Sequence, residues 1–211
     1  MTDAAGLRAG PVADAIRSHR LIVVLRRVER DRLLALVDEL VEAGALIFEV
    51  TMDAPSAVDD LRALREHLPG DVLVGAGTVL TAAQLEEAHR AGAAFVVSPV
   101  LDPALVSGAV AGGMPVIPGA MTPTEIRGAW AAGATFVKLF PASAVGPELV
   151  RELRGPLPAV ELIPTGGVDA SNARAFLEAG AVAVGIGGAL VRSDPVARRS
   201  LIASLVGEPV S

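Results

Sequence analysis

The chain has 211 residues, of which 52% are hydrophobic, 20% charged and 3% aromatic, with a formal net charge of −6. That is too apolar for a disordered chain, and the length suffices to bury an extensive core. The absence of cysteine excludes disulfides, thiolate metal sites and cysteine nucleophiles, while an acidic balance with so few aromatic rings argues against a nucleic-acid partner.

The opening, MTDAAGLRAGPVADAIRSHR, lacks the apolar run of a signal peptide. The stretch from Val96 to Met121 is apolar and long enough to span a bilayer. Asp102 and the prolines at 99, 103, 115 and 118 break it as a transmembrane helix. A cytoplasmic protein with no membrane partner is the expectation.

A short helix is predicted near 11–19. After it, four segments share one shape, an amphipathic run ending in Ala-Gly-Ala and then an apolar burst: VEAGALIFEV, HRAGAAFVVSPV, AAGATFVKLFPA and EAGAVAVGIGGA. VAGGMPVIPGA is a close variant. Gly44, Gly92, Gly112, Gly133 and Gly180 stand where helices stop, because glycine takes the left-handed conformation cheaply. With Pro69-Gly70 and Pro156-x-Pro158 included, the stops recur every 20–26 residues, the length of one strand–helix unit.

The bursts are rich in Val, Ile and Leu with little polar alternation, as parallel strands covered on both faces are. They are Leu21–Arg26, Leu46–Val50, Val72–Gly75, Phe95–Ser98, Pro115–Ile117, Phe136–Phe140, Glu161–Pro164 and Val182–Ile186. Helices are predicted between and after them, near 31–43, 55–67, 81–91, 103–112, 123–132, 147–154, 171–179 and 195–206. Eight such units predict a single (β/α)8 barrel over residues 1–211, of the α/β class with a short N-terminal helix, rather than a doubly wound sheet.

Active sites of such barrels lie at the C-terminal ends of the strands. The first burst closes with Arg26-Arg27, the second with Glu49-Val-Thr51 and the third with Gly75-Ala-Gly77-Thr78. The fourth closes with Ser98-Pro99, the fifth with Pro118-Gly119. The sixth carries Lys138 and Phe140, the seventh ends in Thr165-Gly166-Gly167, and the eighth in Gly187-Gly188.

Lys138 is the sharpest signal. Of eighteen basic residues it is the one lysine, set in the apolar run FVKLFPA. A desolvated amine, unlike a guanidinium, loses its proton and adds to a carbonyl as a Schiff-base nucleophile. A lone strand lysine also snorkels to solvent or pairs with a buried carboxylate; its place among the strand ends favours the nucleophile. Glu49 is its natural partner as a proton shuttle, with a structural ion pair to Lys138 or Arg26 as the equal alternative.

Thr165-Gly166-Gly167 and Gly187-Gly188 follow the two strands whose loops hold phosphate through backbone N–H groups in many barrels. Arg26 suits a carboxylate or phosphate clamp, whereas Arg27 points the other way into solvent. Thr51 and Thr78 offer rim hydroxyls, Thr78 being the better ligand. Phe140 shares the face of Lys138 and either packs on substrate or fills core. His19, His67 and His89 all fall in predicted helices or their ends, so neither a histidine base nor a catalytic zinc site is expected.

The segments FEVT, GAGTVL, VVSPV, IPGAMTPTEI, FVKLFPAS and IPTGGV resemble, in order from about residue 15 to 192, the class I 2-keto-3-deoxy-6-phosphogluconate and 4-hydroxy-2-oxoglutarate aldolases. The resemblance implies a homotrimeric barrel that cleaves a phosphorylated 2-oxo acid, a small molecule, to pyruvate and glyceraldehyde 3-phosphate, with no metal and no cofactor. It implies Lys138 as the Schiff-base lysine and Glu49 as acid/base through a bound water. Thr78 becomes a carboxylate ligand, Pro99, Phe140 and Thr165 pocket walls, and Gly166, Gly167, Gly187 and Gly188 the phosphate loops.

Two positions depart from that pattern. Asp53 stands where the best-known members carry a carboxylate-binding arginine; the related 2-keto-3-deoxy-6-phosphogalactonate aldolases carry one at the position of Arg26, so the sugar stereochemistry stays open. Ala189 stands where a phosphate-binding serine is common, which leaves only its backbone N–H. A rival reading is a phosphate-binding isomerase or synthase with Glu49 as base and Lys138 purely electrostatic. A further one is a non-catalytic barrel that serves as a binding module.

Overall fold

A computed structural model describes residues 3–206. Two helices, α1 (Ala4–Arg8) and α2 (Pro11–His19), precede β1 (Leu21–Leu25). Then follow α3 (Arg30–Glu42), β2 (Ile47–Thr51), α4 (Ala57–His67), β3 (Leu73–Gly77) and α5 (Ala82–Arg90). The middle of the chain forms β4 (Val96–Val97), α6 (Pro103–Ala111), β5 (Val116–Ile117), β6 (Gly119–Ala120), α7 (Pro123–Ala131) and β7 (Val137–Leu139). A 3-10 turn (Ala142–Ala144) leads to α8 (Gly146–Leu153), β8 (Leu162–Pro164), α9 (Ala173–Glu178) and β9 (Val184–Ile186). The described residues end with α10 (Gly188–Val191) and α11 (Pro195–Leu205).

Every strand pairs in parallel with its neighbours, as the uninterrupted apolar bursts predict. The strands form two curled sheets, one of order β5-β4-β3-β2-β1-β9 and one of order β6-β7-β8, rather than one continuous eight-stranded ladder. Pro118 causes one break. With no N–H to donate, it separates β5, inside the predicted fifth strand, from β6, which lies beyond that strand's predicted end, while its carbonyl accepts from the Lys138 N–H at 2.9 Å. At the other break, Thr165 bridges Gly185, and the Val182 N–H donates to the Leu162 carbonyl at 3.1 Å.

The strands' two faces feed two hydrophobic clusters. On β2, Phe48 and Val50 point toward the helices, whereas Ile47, Glu49 and Thr51 share the opposite face. That inner face collects Ile22, Phe95, Val97, Ile117, Phe136 and Ile163, and α2 caps it from the strands' N-terminal side with fully buried Ala13 and Ile16. Arg17 holds α2 in place by donating to both carboxylate oxygens of Glu161 at 2.8 and 2.7 Å.

Helix starts follow ordinary capping chemistry. The Thr81 hydroxyl accepts from the Gln84 N–H, and Thr122 and Glu125 form a reciprocal capping box. Neither α1 nor α10 was expected from the apolar periodicity, because five-residue and four-residue helices are too short to show any. Among the described residues no helix is long and apolar enough to cross a membrane.

Candidate active site

β7 sets the centre of the site. Its alternation sends Val137 and Leu139 to the outer core and Phe136, Lys138 and Phe140 to the inner face. Lys138 is 6% exposed, and its Nζ lies 3.8 Å from Glu49 Oε1 on β2 and 5.1 Å from the centroid of the Phe140 ring. The 3.8 Å separation is within ion-pair range, but a charge-assisted hydrogen bond closes to about 2.7–2.9 Å. Here the gap is wider, and Oε1 is buried with no hydrogen-bond partner among the described residues. Arg26, the other partner the sequence suggests for Glu49, turns to Asp53 instead.

Glu49 owes its position to β3. The two strands pair Glu49 with Gly75, and a side chain at the next inward position, Gly77, would fall on the Glu49 carboxylate. Glycine there is a space requirement. Thr78 follows with φ 55, a left-handed conformation that costs a β-branched residue of order 1–3 kcal/mol. Thr78 also lines the cavity.

Two glycine turns form another part of the wall. Gly166 and Gly167 take φ values of 85 and 78, and side chains there would strike Phe140 and Ser143. The N–H groups of Gly166, Gly167, Gly187, Gly188 and Ala189 donate to no acceptor among the described residues. Five unspent donors on neighbouring turns make an anion cradle.

At the strand-1 end, Arg26 donates through Nε and Nη2 to Asp53 Oδ2 at 3.2 and 2.9 Å. Arg27 is largely exposed to solvent, as its sequence position suggests, but it also reaches Asp53. With φ 49 it brings Nε to 3.3 Å from the same oxygen. Burial pushes the Asp53 carboxyl up, but the two arginines on its Oδ2 help to outweigh it and hold it below the ordinary carboxylate value. Three buried side-chain oxygens lack a partner among the described residues, Glu49 Oε1, Thr51 Oγ1 and Asp53 Oδ1, and all fall within residues 49–53.

These groups surround one cavity of about 510 Å³. Every candidate named from the sequence lines it: Lys138 and Glu49, then Arg26, Thr78, Pro99, Phe140 and Thr165, and the glycines 166, 167, 187 and 188. A second chamber of about 620 Å³ adjoins it across Val24, Arg26, Gly188 and Arg192.

Sequence reasoning missed two arginines here. Arg192 lines both chambers. Arg198, 6% exposed, donates to Glu39 Oε2 at 2.6 Å and to the carbonyls of Leu190, Val191 and Ser193, and so pins the segment behind Gly187-Gly188. The one available signal for Arg198 was a cation on the apolar face of a helix.

The chain matches known proteins in sequence and in fold. A family model described as KDPG and KHG aldolase matches residues 12–202. The chain is 33% identical over 181 residues to the 2-dehydro-3-deoxy-6-phosphogalactonate aldolase of Escherichia coli strain K12, covering 85% of this chain and 88% of that one. It is 40% identical over 152 residues to the 2-dehydro-3-deoxy-phosphogluconate aldolase of Treponema pallidum strain Nichols, covering 72% and 71%. Among solved structures, a KDPG aldolase from Legionella pneumophila, with pyruvate captured as a covalent carbinolamine intermediate, superposes with a TM-score of 0.82. That match has 27% identity and covers 98% of this chain and 99% of that one. The chain therefore belongs to the KDPG and KHG aldolase family.

Proposed function

We propose that this chain is a class I aldolase that cleaves 2-keto-3-deoxy-6-phosphogluconate to pyruvate and glyceraldehyde 3-phosphate. The observation that carries the reading is the buried Lys138 amine 3.8 Å from an unsatisfied Glu49 oxygen inside the cavity. The covalent pyruvate adduct of the Legionella relative supports the same chemistry.

Lys138 Nζ attacks the C2 ketone to give a carbinolamine, which loses water to form the imine. Glu49 carries the protons of that dehydration. It then takes the proton of the C4 hydroxyl as the C3–C4 bond breaks. The bonding pair moves to C3 and the imine nitrogen, leaving the enamine of pyruvate, and the aldehyde departs. Protonation at C3 and addition of water to the imine release pyruvate and restore the amine. The imine is the electron sink, so the scheme draws on no metal ion or cofactor.

Thr78 suits the substrate carboxylate, and Arg26 lines the same cavity. Pro99, Phe140 and Thr165 wall the pyruvyl half, and the donors of Gly166, Gly167, Gly187 and Gly188 take the phosphate. We read the two hydrogen-bonded breaks between the sheets as the seams of a closed (β/α)8 barrel that forms one domain. The inner cluster, drawn from both sheets and capped by α2, supports that reading.

The reading extends to a homotrimer working in the cytoplasm. Leu80, Val100 and Met121, exposed at 47, 52 and 40%, follow β3, β4 and β6 and offer apolar surface to a second copy. The epimeric galactonate phosphate is the second substrate reading, favoured by Arg26 at the end of β1. Cleavage of 4-hydroxy-2-oxoglutarate would use the same steps.

Side-by-side cleavage assays on the three aldols test the proposal. A kcat/KM at least tenfold higher for the gluconate phosphate is expected. Preference for the galactonate phosphate transfers the reading to that substrate, and failure to cleave any of the three overturns it.

A further inference from the structure

We propose that Arg192 is the cation that binds the substrate's phosphate, which makes this enzyme selective for phosphorylated aldols; the inference rests on the aldolase reading above. Three cationic side chains line the cavity. Lys138 faces Glu49, and Arg26 is tied to Asp53. Arg192 makes no side-chain hydrogen bond or ion pair with any described residue.

Its guanidinium is nonetheless placed. Its Nη1–Nη2 edge lies against Gly188, so close that a side chain at that position would fall on it. Gly188 is one of the residues whose N–H is unspent, and Ala189, with no hydroxyl to offer, is the next. A phosphate seated on those donors brings about −1.5 to −2 charges with it. Neutral N–H groups do not balance that charge; a guanidinium does, and its planar fork meets two phosphate oxygens at once.

The surroundings leave Arg192 the task. Besides Glu49, the acid lining the cavity is Asp169, which accepts from the Ser171 N–H at 2.8 Å and from the Ser171 hydroxyl. The chain as a whole is acidic, so a free cation at this end favours the approach of an anion. A serine hydroxyl at 189 would supply one hydrogen bond. Arg192 supplies charge and two.

The test compares wild type with Arg192→Gln, Arg192→Lys and Arg32→Gln. Arg32 lines only the adjoining chamber and controls for loss of a nearby positive charge. Condensation of pyruvate with glyceraldehyde 3-phosphate and with unphosphorylated glyceraldehyde is measured for each, together with inorganic phosphate binding by calorimetry. For Arg192→Gln we expect a 10- to 100-fold fall in kcat/KM with the phosphorylated aldehyde, carried by KM. The unphosphorylated aldehyde should change less than twofold, and Arg192→Lys should fall between. Phosphate should bind at least tenfold more weakly to Arg192→Gln than to wild type, and about equally to Arg32→Gln. Equal losses with both aldehydes, or an equal loss in Arg32→Gln, would overturn the assignment. Calorimetry decides it separately from turnover: a wild type with no aldol activity that still loses phosphate affinity on Arg192→Gln sinks the aldolase reading and leaves the anion site standing.

Discussion

Glu49 fits beside Lys138 because residue 77 has no side chain. Gly77→Ala should push the carboxylate off its position and lower kcat at least 100-fold, since misplacing a catalytic group by an ångström costs that much. Overpacking should cost only about 1–3 kcal/mol of stability. Steady-state kinetics with a thermal melt separate the two, and a variant of normal kcat would show that the placement is irrelevant. His19 supplies the clearest pH effect. Its Nε2 accepts the Leu46 N–H at 3.0 Å, and burial lowers its pKa to about 4. The unfolded chain titrates this ring near 6.5 and so binds more protons between those values. The contribution of His19 to stability is therefore whole above about pH 6.5 and is lost as the pH falls toward 4. His19→Gln should flatten that part of the curve of unfolding free energy against pH; an unchanged slope would contradict the assignment.

Among the elements, α2 and α10 do different work. α2 closes the inner cluster on the side away from the cavity, and α10 backs the Gly187-Gly188 turn. Ile16→Ala should destabilise the fold by about 2–5 kcal/mol with kcat and KM unchanged. Arg198→Ala should also lower stability, but it frees the carbonyls behind the turn and should raise KM for a phosphorylated substrate roughly tenfold. Urea titration and kinetics on both variants check the contrast. The periodic parts of these elements were legible in the sequence because strand bursts and glycine stops are local signals. Pro118 was legible as a residue but not as a break, since its effect depends on which neighbours need its N–H. Lys138 and Glu49 stood out as charges inside apolar runs. Arg192 and Arg198 did not, because seventeen arginines look alike until the fold buries one and sets another against a glycine.

For the whole molecule, the parallel strands gather residues more than 130 positions apart, Arg26 and Thr165 among them, around one cavity. The apolar surface at Leu80, Val100 and Met121 lies outside it. Light scattering on the purified protein should give three times the chain mass, and Val100→Asp should shift it toward the monomer; a wild-type monomer would contradict the trimer. The account as a whole turns on a covalent bond between a keto acid and the chain's one lysine. Intact-mass and peptide mass spectrometry after incubation with pyruvate and borohydride read that bond directly. We expect a single reduced pyruvyl group, located on Lys138 and absent from Lys138→Arg; an unmodified Lys138 in active enzyme would contradict the account.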